Sequence, residues 1–309
     1  MMVVEEMNPE DRCRFTRCSK SSFNKVRASM NHVYSLKLWV NEEMRYPRVI
    51  IKVRFDEHDE AHIDDNCGFC LVFEEKPNNK KGIKYQKLDS TTLWGIDLDD
   101  FADVIRLGFD NFKNRLQFYQ NKIKRLDIMG TIIREEFIDF QFDVQSLKNL
   151  RELRTERNRV DPIQFLSKIH HPLKGLYIDG REPDEFTAHL ETIYQVQYIL
   201  YVGRLELTIE QFLNLSANDV LIRIGSLTVE NIYDFIKSWQ NGTYNGRMKD
   251  IQWKIRDANF DAHSLFRSLG GNSSSGFRTV AIKRTNSDET ALFSYNEIYL
   301  NFSIESENS

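Results

Sequence analysis

Apolar positions along the chain fall into two rhythms. Between residues 33 and 73, VYSLKLWV and RVIIKVRF alternate or cluster branched and aromatic residues, and FCLVF follows, so this stretch predicts β-strands. Residues 74–91, EEKPNNKKGIKYQKLDST, interleave lysines with Pro, Asn and Gly and predict a long solvated loop. The rhythm then changes. Phe101, Val104, Ile105, Phe109, Phe112 and Leu116 recur at helical spacing and predict a helix over 97–121, capped by Asp97 or Asp99. Upstream, residues 8–31 read as two short helices. Asn8 suits the cap and Pro9 the first helical position, and Phe23, Val26 and Met30 lie along one face of the second helix.

Beyond residue 120 a short strand pattern, apolar-x-x-apolar-x-apolar, keeps returning. It reads Ile123-x-x-Leu126-x-Ile128, Leu150-x-x-Leu153-x-Thr155, Leu173-x-x-Leu176-x-Ile178 and Val196-x-x-Ile199-x-Tyr201, then more loosely Ile222-x-Ile224, Ile251-x-Trp253 and Val280-x-Ile282. The middle positions step by 27, 23, 23, 23, 29 and 29 residues. Helix signals fill most of the gaps: Asp161-Pro162 before IQFLSKI, Asp184 before EFTAHLETIY, Thr208 with Gln211 in capping-box position, Thr228 before VENIYDFIKSW, and Asp257 or Asn259 before FDAHSLFRSL. A unit with one apolar strand face and one apolar helix face must stack on its neighbours. This period resembles that of leucine-rich-repeat architecture. Only Leu150 to Asn158 carries an Asn in ninth position, so the array should be irregular. A single α/β domain with evenly spaced strands is the alternative.

Two stretches carry a further resemblance. Leu207 to Ile255, LTIEQFLNLSANDVLIRIGSLTVENIYDFIKSWQNGTYNGRMKDIQWKI, resembles the nematode-type F-box-associated domain, type 2, in its strand before Leu227-Thr228, its helix running to Trp239, its Asn241-Gly242 and its strand Ile251 to Ile255. Met7 to Val26, MNPEDRCRFTRCSKSSFNKV, is similar to the latter half of an F-box, with Cys18-Ser19-Lys20 at that motif's Cys-x-Lys position. No Leu-Pro pair precedes Met7, so the F-box this implies is truncated at its N-terminus. The resemblance implies a non-catalytic, substrate-recruiting subunit of a cullin–RING (SCF-type) ubiquitin ligase. It would dock on a Skp-type adaptor through Met7, Pro9, Phe15, Cys18, Phe23 and Val26, and hold an unknown protein substrate on the repeats.

The expected fold class is therefore α/β. Residues 1–32 form a helical F-box remnant, 33–92 a small β-rich segment with its lysine-rich loop, and 93–305 an irregular leucine-rich-repeat-like array containing the associated domain at about 175–255. If the apolar places of each copy point inward, the residues between them form an outward row: Arg154, Tyr177, Tyr198, Arg223, Gln252 and Lys254. Aromatic and arginine side chains in such a row suit a binding surface.

Composition narrows the partners. A formal net charge of −4 over 309 residues gives no electrostatic case for nucleic acid or an anionic membrane. No apolar run approaches a membrane span. Four cysteines are too few for a disulfide scaffold at this length, which favours reduced thiols and a cytoplasmic or nuclear site. His58, His62, Cys67 and Cys70 have the chemistry of a zinc site or a thiol enzyme, but their spacing is tight and Cys67-Gly-Phe-Cys70 leads into a strand-like run rather than a helix. The expectation is a structural thiol pair, with no metal, no cofactor and no catalytic residue. A repeat-based interaction protein outside the ligase, or a zinc- or thiol-dependent enzyme, are the alternative functions.

Overall fold

The computed structural model describes residues 33–42, 46–55, 68–75, 81–87, 93–98, 103–131, 140–156, 160–179, 190–223, 227–244, 246–255, 260–271 and 278–305. It is a mixed α/β chain that divides into two compact units between His170 and His171. The F-box-like segment 1–32 lies outside the described residues.

The first unit holds strands β1 (Val33–Asn41), β2 (Arg48–Arg54), β3 (Gly68–Glu75), β4 (Lys81–Lys87), β5 (Leu93–Leu98), β6 (Ile123–Thr131) and β7 (Glu152–Glu156), with helices α1 (Val104–Tyr119) and α2 (Ile163–Leu166). Within this unit the strand order is β7-β6-β1-β2-β3-β4-β5. The pairs β7–β6 and β6–β1 are parallel, and β1 to β5 run as an antiparallel meander. Alternation decides the faces. Leu36, Leu38 and Val40 on β1, Val49, Ile51 and Val53 on β2, and Phe69, Leu71 and Phe73 on β3 are all buried beneath α1. A Cβ on Gly108 of α1 would come within 2.6 Å of the Val49 side chain, so the helix lies very close to the sheet there. Phe142, fully buried, packs against Phe109 and Phe112 of α1 and Phe165 of α2. Gly130, at φ 101°, sits where a Cβ would overlap the Val40 carbonyl oxygen, so only glycine fits.

Two expectations change here. The lysine-rich loop over 74–91 gives way to β4 at Lys81–Lys87, which pairs with β3 and β5. Lys81 and Lys84 stand half-exposed on that strand. The predicted helix over 97–121 shortens to α1, because Leu93–Leu98 is a strand. The cap is Asp103, whose carboxylate accepts from the backbone N–H groups of Ile105 and Arg106.

The second unit holds β8 (Gly175–Asp179), α3 (Leu190–Tyr194), β9 (Ile199–Glu206), α4 (Ile209–Leu213), β10 (Asp219–Arg223), α5 (Val229–Gln240), β11 (Asp250–Lys254), α6 (Ala262–Ser268), β12 (Thr279–Lys283), β13 (Thr290–Tyr295) and β14 (Tyr299–Glu305). The strand order is β8-β9-β10-β11-β14-β13-β12. The first four strands are parallel, each followed by a helix, and the last three are antiparallel. Threonines start two of the helices. Thr208 and Gln211 form a reciprocal capping box, as do Thr228 and Asn231. Gly242, at φ 75°, closes α5. Asp261, rather than Asp257 or Asn259, caps α6, its carboxylate accepting from the Ser264 N–H.

One face of this sheet is covered by helices. Leu176, Leu200, Val220, Ile251 and Phe302 align across it in register, as do Ile178, Val202, Ile222, Trp253 and Leu300, and all ten are buried. Phe212 of α4 and Phe235 of α5 meet Trp253, and Trp239 of α5 meets Phe302 edge-on. Side chains buried this fully each stabilise the unit by about 1.5–3 kcal/mol. The expected copy Val196-x-x-Ile199-x-Tyr201 is out of register by one residue: Leu200 and Val202 point inward, while Ile199 is 38 % exposed. The copy Val280-x-Ile282 does not continue the parallel series; it lies on β12, paired antiparallel with β13.

Candidate recognition surface

Tyr177 of β8, Ile199 and Tyr201 of β9, Asp219 and Leu221 of β10, Asp250 and Gln252 of β11, and Asn301 and Ser303 of β14 face away from the helices, opposite in parity to the buried rows. Tyr177, Tyr201, Leu221, Gln252 and Asn301 stand side by side in register across five strands, all partly exposed. The Tyr177 and Tyr201 rings stack with centroids 6.4 Å apart and planes 27° from parallel. Next along, Gln252 Nε2 donates to Asn301 Oδ1 at 2.7 Å. One step toward the strand starts, a second row runs Gly175, Ile199, Asp219, Asp250 and Ser303. Gly175 apart, the two rows line a shallow groove of about 330 Å³.

Asp219 and Asp250 are direct neighbours on parallel strands. Their register is set by backbone bonds just upstream: the Asp219 N–H donates to the Tyr198 carbonyl at 2.8 Å, and the Asp250 N–H to that of Asn218 at 3.1 Å. Partial burial pushes the Asp250 carboxyl above its ordinary value. The Asp219 charge and a side-chain hydrogen bond to Asp219 push it the same way, against Lys249. Neither carboxylate joins a salt bridge among the described residues.

Of the expected outward row, Tyr177 and Gln252 fall on one line across this face. Arg223 and Lys254 pair with each other at the far end of β10 and β11. Tyr198 precedes β9, is 50 % exposed, and has Lys174 Nζ over its ring at 6.0 Å. Arg154 lies in the first unit, half-buried beside Asp127 on the neighbouring strand. The sequence reading missed Tyr201, Asp219, Leu221, Asp250 and Asn301. A signal did exist for the two acidic residues: Asp219 and Asp250 each open a strand one residue before a buried aliphatic, Val220 or Ile251.

The adaptor-contact candidates Met7, Pro9, Phe15, Cys18, Phe23 and Val26 lie outside the described residues, as do His58, His62 and Cys67. Cys70 is on β3, buried at 6 % exposure. Burial pushes its thiol up, with Lys52 pulling the other way, and the net shift is opposite to what a thiolate nucleophile or metal ligand needs. Among the described residues no three His, Cys, Asp or Glu side chains cluster as metal ligands, and no helix is long and apolar enough to cross a membrane. Against family models, curated proteins and solved structures, the chain has no significant match.

Proposed function

We propose that this chain is a non-catalytic recognition protein that holds a protein partner on the open sheet face of its second unit, and that it acts as a substrate-recruiting F-box subunit of a cullin–RING ubiquitin ligase. The observation that carries the recognition part is the row Tyr177, Tyr201, Leu221, Gln252 and Asn301, which five strands present side by side, partly exposed, on a face that carries no helix among the described residues. The tyrosine pair in that row is the residue type that binding hot spots favour. The finer reading of the second unit is an irregular leucine-rich-repeat-like array. In its support, Leu176, Leu200, Val220 and Ile251 occupy equivalent places at steps of 24, 20 and 31 residues (200 less 176, 220 less 200, 251 less 220). The ligase part is supported by the likeness of Met7–Val26 to an F-box and of Leu207–Ile255 to the F-box-associated domain.

Titration of the whole chain against a Skp-type adaptor, beside a variant lacking residues 1–32, tests the ligase part. Micromolar or tighter binding that the deletion removes is the expected result. No binding by the folded full chain sinks it and leaves an interaction protein outside the ligase.

A further inference from the structure

We infer that the groove on the open face of the second unit takes an arginine side chain from an extended segment of the partner protein, with Asp219 and Asp250 receiving the guanidinium and the tyrosine pair flanking it. The inference rests on the recognition reading above and adds the chemistry of what is recognised.

Charge complementarity is the first argument. Directly opposed residues on neighbouring strands interact, and like charges there are unfavourable. Asp219 and Asp250 are such a pair, side chain against side chain, with no salt bridge among the described residues to offset them. The cation acting on Asp250 is Lys249, its exposed chain neighbour. On the other flank, β14 sets the uncharged Ser303 opposite Asp250. A cation arriving from outside therefore meets two neighbouring carboxylates at once.

Geometry favours arginine over lysine. Adjacent strands are about 4.8 Å apart, so two carboxylates on them match the span of a guanidinium fork better than a point ammonium. Tyr177 and Tyr201 line the same groove and offer ring faces on which a guanidinium can stack. Ile199 and Leu221 supply apolar surface for the methylene stem, and Gln252 and Asn301 offer amide groups to an extended backbone.

A random-peptide display library selected against the immobilised full chain provides the probes. The expected result is enriched peptides sharing an arginine. Their binding should weaken at least tenfold with Asp219→Asn/Asp250→Asn, with Tyr201→Ala, and when citrulline replaces the arginine, and clearly when lysine does. Thermal melting of the isosteric Asn variant shows that it remains folded. Peptides whose binding needs Tyr201 but ignores the two Asn substitutions would overturn this inference and keep the recognition face. Equal binding of lysine and arginine peptides would overturn the guanidinium assignment. A selection yielding no peptide that depends on Tyr201 would overturn both readings.

Discussion

The two units cover one face of a sheet with helices and treat the other face in opposite ways. In the first unit, cross-strand neighbours on the face away from α1 carry opposite charges: Arg48 faces Glu74, Arg125 faces Glu152, and Asp127 faces Arg154, with Glu74 and Asp127 themselves buried. Arg125 Nε donates to both Asp127 oxygens at 3.1 Å, and Arg125 Nη1 lies 3.3 Å from Glu152. Burial pulls the Arg125 guanidinium down, and Asp127 and Glu152 more than offset it, leaving it above its ordinary value. Glu74 is held by Arg48 at 3.2 Å and by Lys84. Lys37 has Lys52 on one side but Asp127 on the other. In the second unit, like stands against like at Asp219 and Asp250, and the groove beside them is otherwise lined on that face by aromatic, aliphatic, amide and hydroxyl groups. A face that neutralises itself has no electrostatic reason to seek a partner. One that sets two carboxylates together beside a groove has such a reason.

If the difference lies in the open faces, the two cores should respond alike. Phe142→Ala in the first unit and Trp253→Ala in the second each remove a fully buried aromatic with several ring neighbours. Each should cost about 3–5 kcal/mol by chemical denaturation. A loss below about 1 kcal/mol at either site would mean that its core is not packed as described, and the comparison would lose its common frame.

A charge removed in each unit from the sheet face away from its helices gives the sharper contrast. Glu74→Gln takes a charge from a carboxylate only 7 % exposed while its two cationic partners remain, and should destabilise by about 1–2 kcal/mol. It should leave peptide binding to the second unit unchanged. Asp219→Asn should do the reverse, weakening binding without lowering the denaturation midpoint. Loss of stability at both sites, with no loss of binding at Asp219, would make the two faces equivalent.

The threonine-capped helix starts were legible, because a capping box is a local device, whereas α1 and α6 take Asp103 and Asp261 as caps in place of the acidic or amide residues upstream. Thr208, Thr228 and Asp161 act where the pattern placed them: Asp161 accepts from the Ile163 N–H at 2.9 Å, and both threonines accept from the third residue of their helix. Strand faces were legible only where the two parities differ in polarity. Leu176 and Ile178 flank Tyr177 unambiguously, whereas Ile199, Leu200, Tyr201 and Val202 are apolar in both parities, and a slip of one residue exchanges the faces. That slip hid Tyr201. The meeting of the two carboxylates was illegible for a different reason. Asp219 and Asp250 are 31 residues apart (250 less 219), and they meet only because β10 and β11 pair in one particular register. Lysines likewise disguised β4, whose pairing with β3 and β5 is long-range information that composition does not contain.

The smallest predicted effect tests whether the carboxylate pair is held at a cost. In the folded chain the Asp250 carboxyl lies above its ordinary 3.8, first through burial and then through the charge and hydrogen bond of Asp219. The folded state therefore binds this proton more tightly than the unfolded state does. Below pH 3.8 both states are protonated and there is no penalty. As pH rises through that value and past the folded one, the unfolded chain releases its proton first and stability falls. Asp250→Asn keeps the size and a donor to Asp219 but does not titrate, so it should escape the penalty. At pH 7 it should melt higher than the native chain by about 1 °C, the scale of a surface substitution, and the gap should close at about pH 3. Added salt should close only part of it, since salt screens the repulsion from Asp219 and not the burial that is its larger cause. A variant that instead melts lower at pH 7, by the same margin at pH 3, would show Asp250 acting as a structural hydrogen-bonding group. The second unit's face would then be as self-satisfied as the first, and the case for a cationic visitor would fail with it.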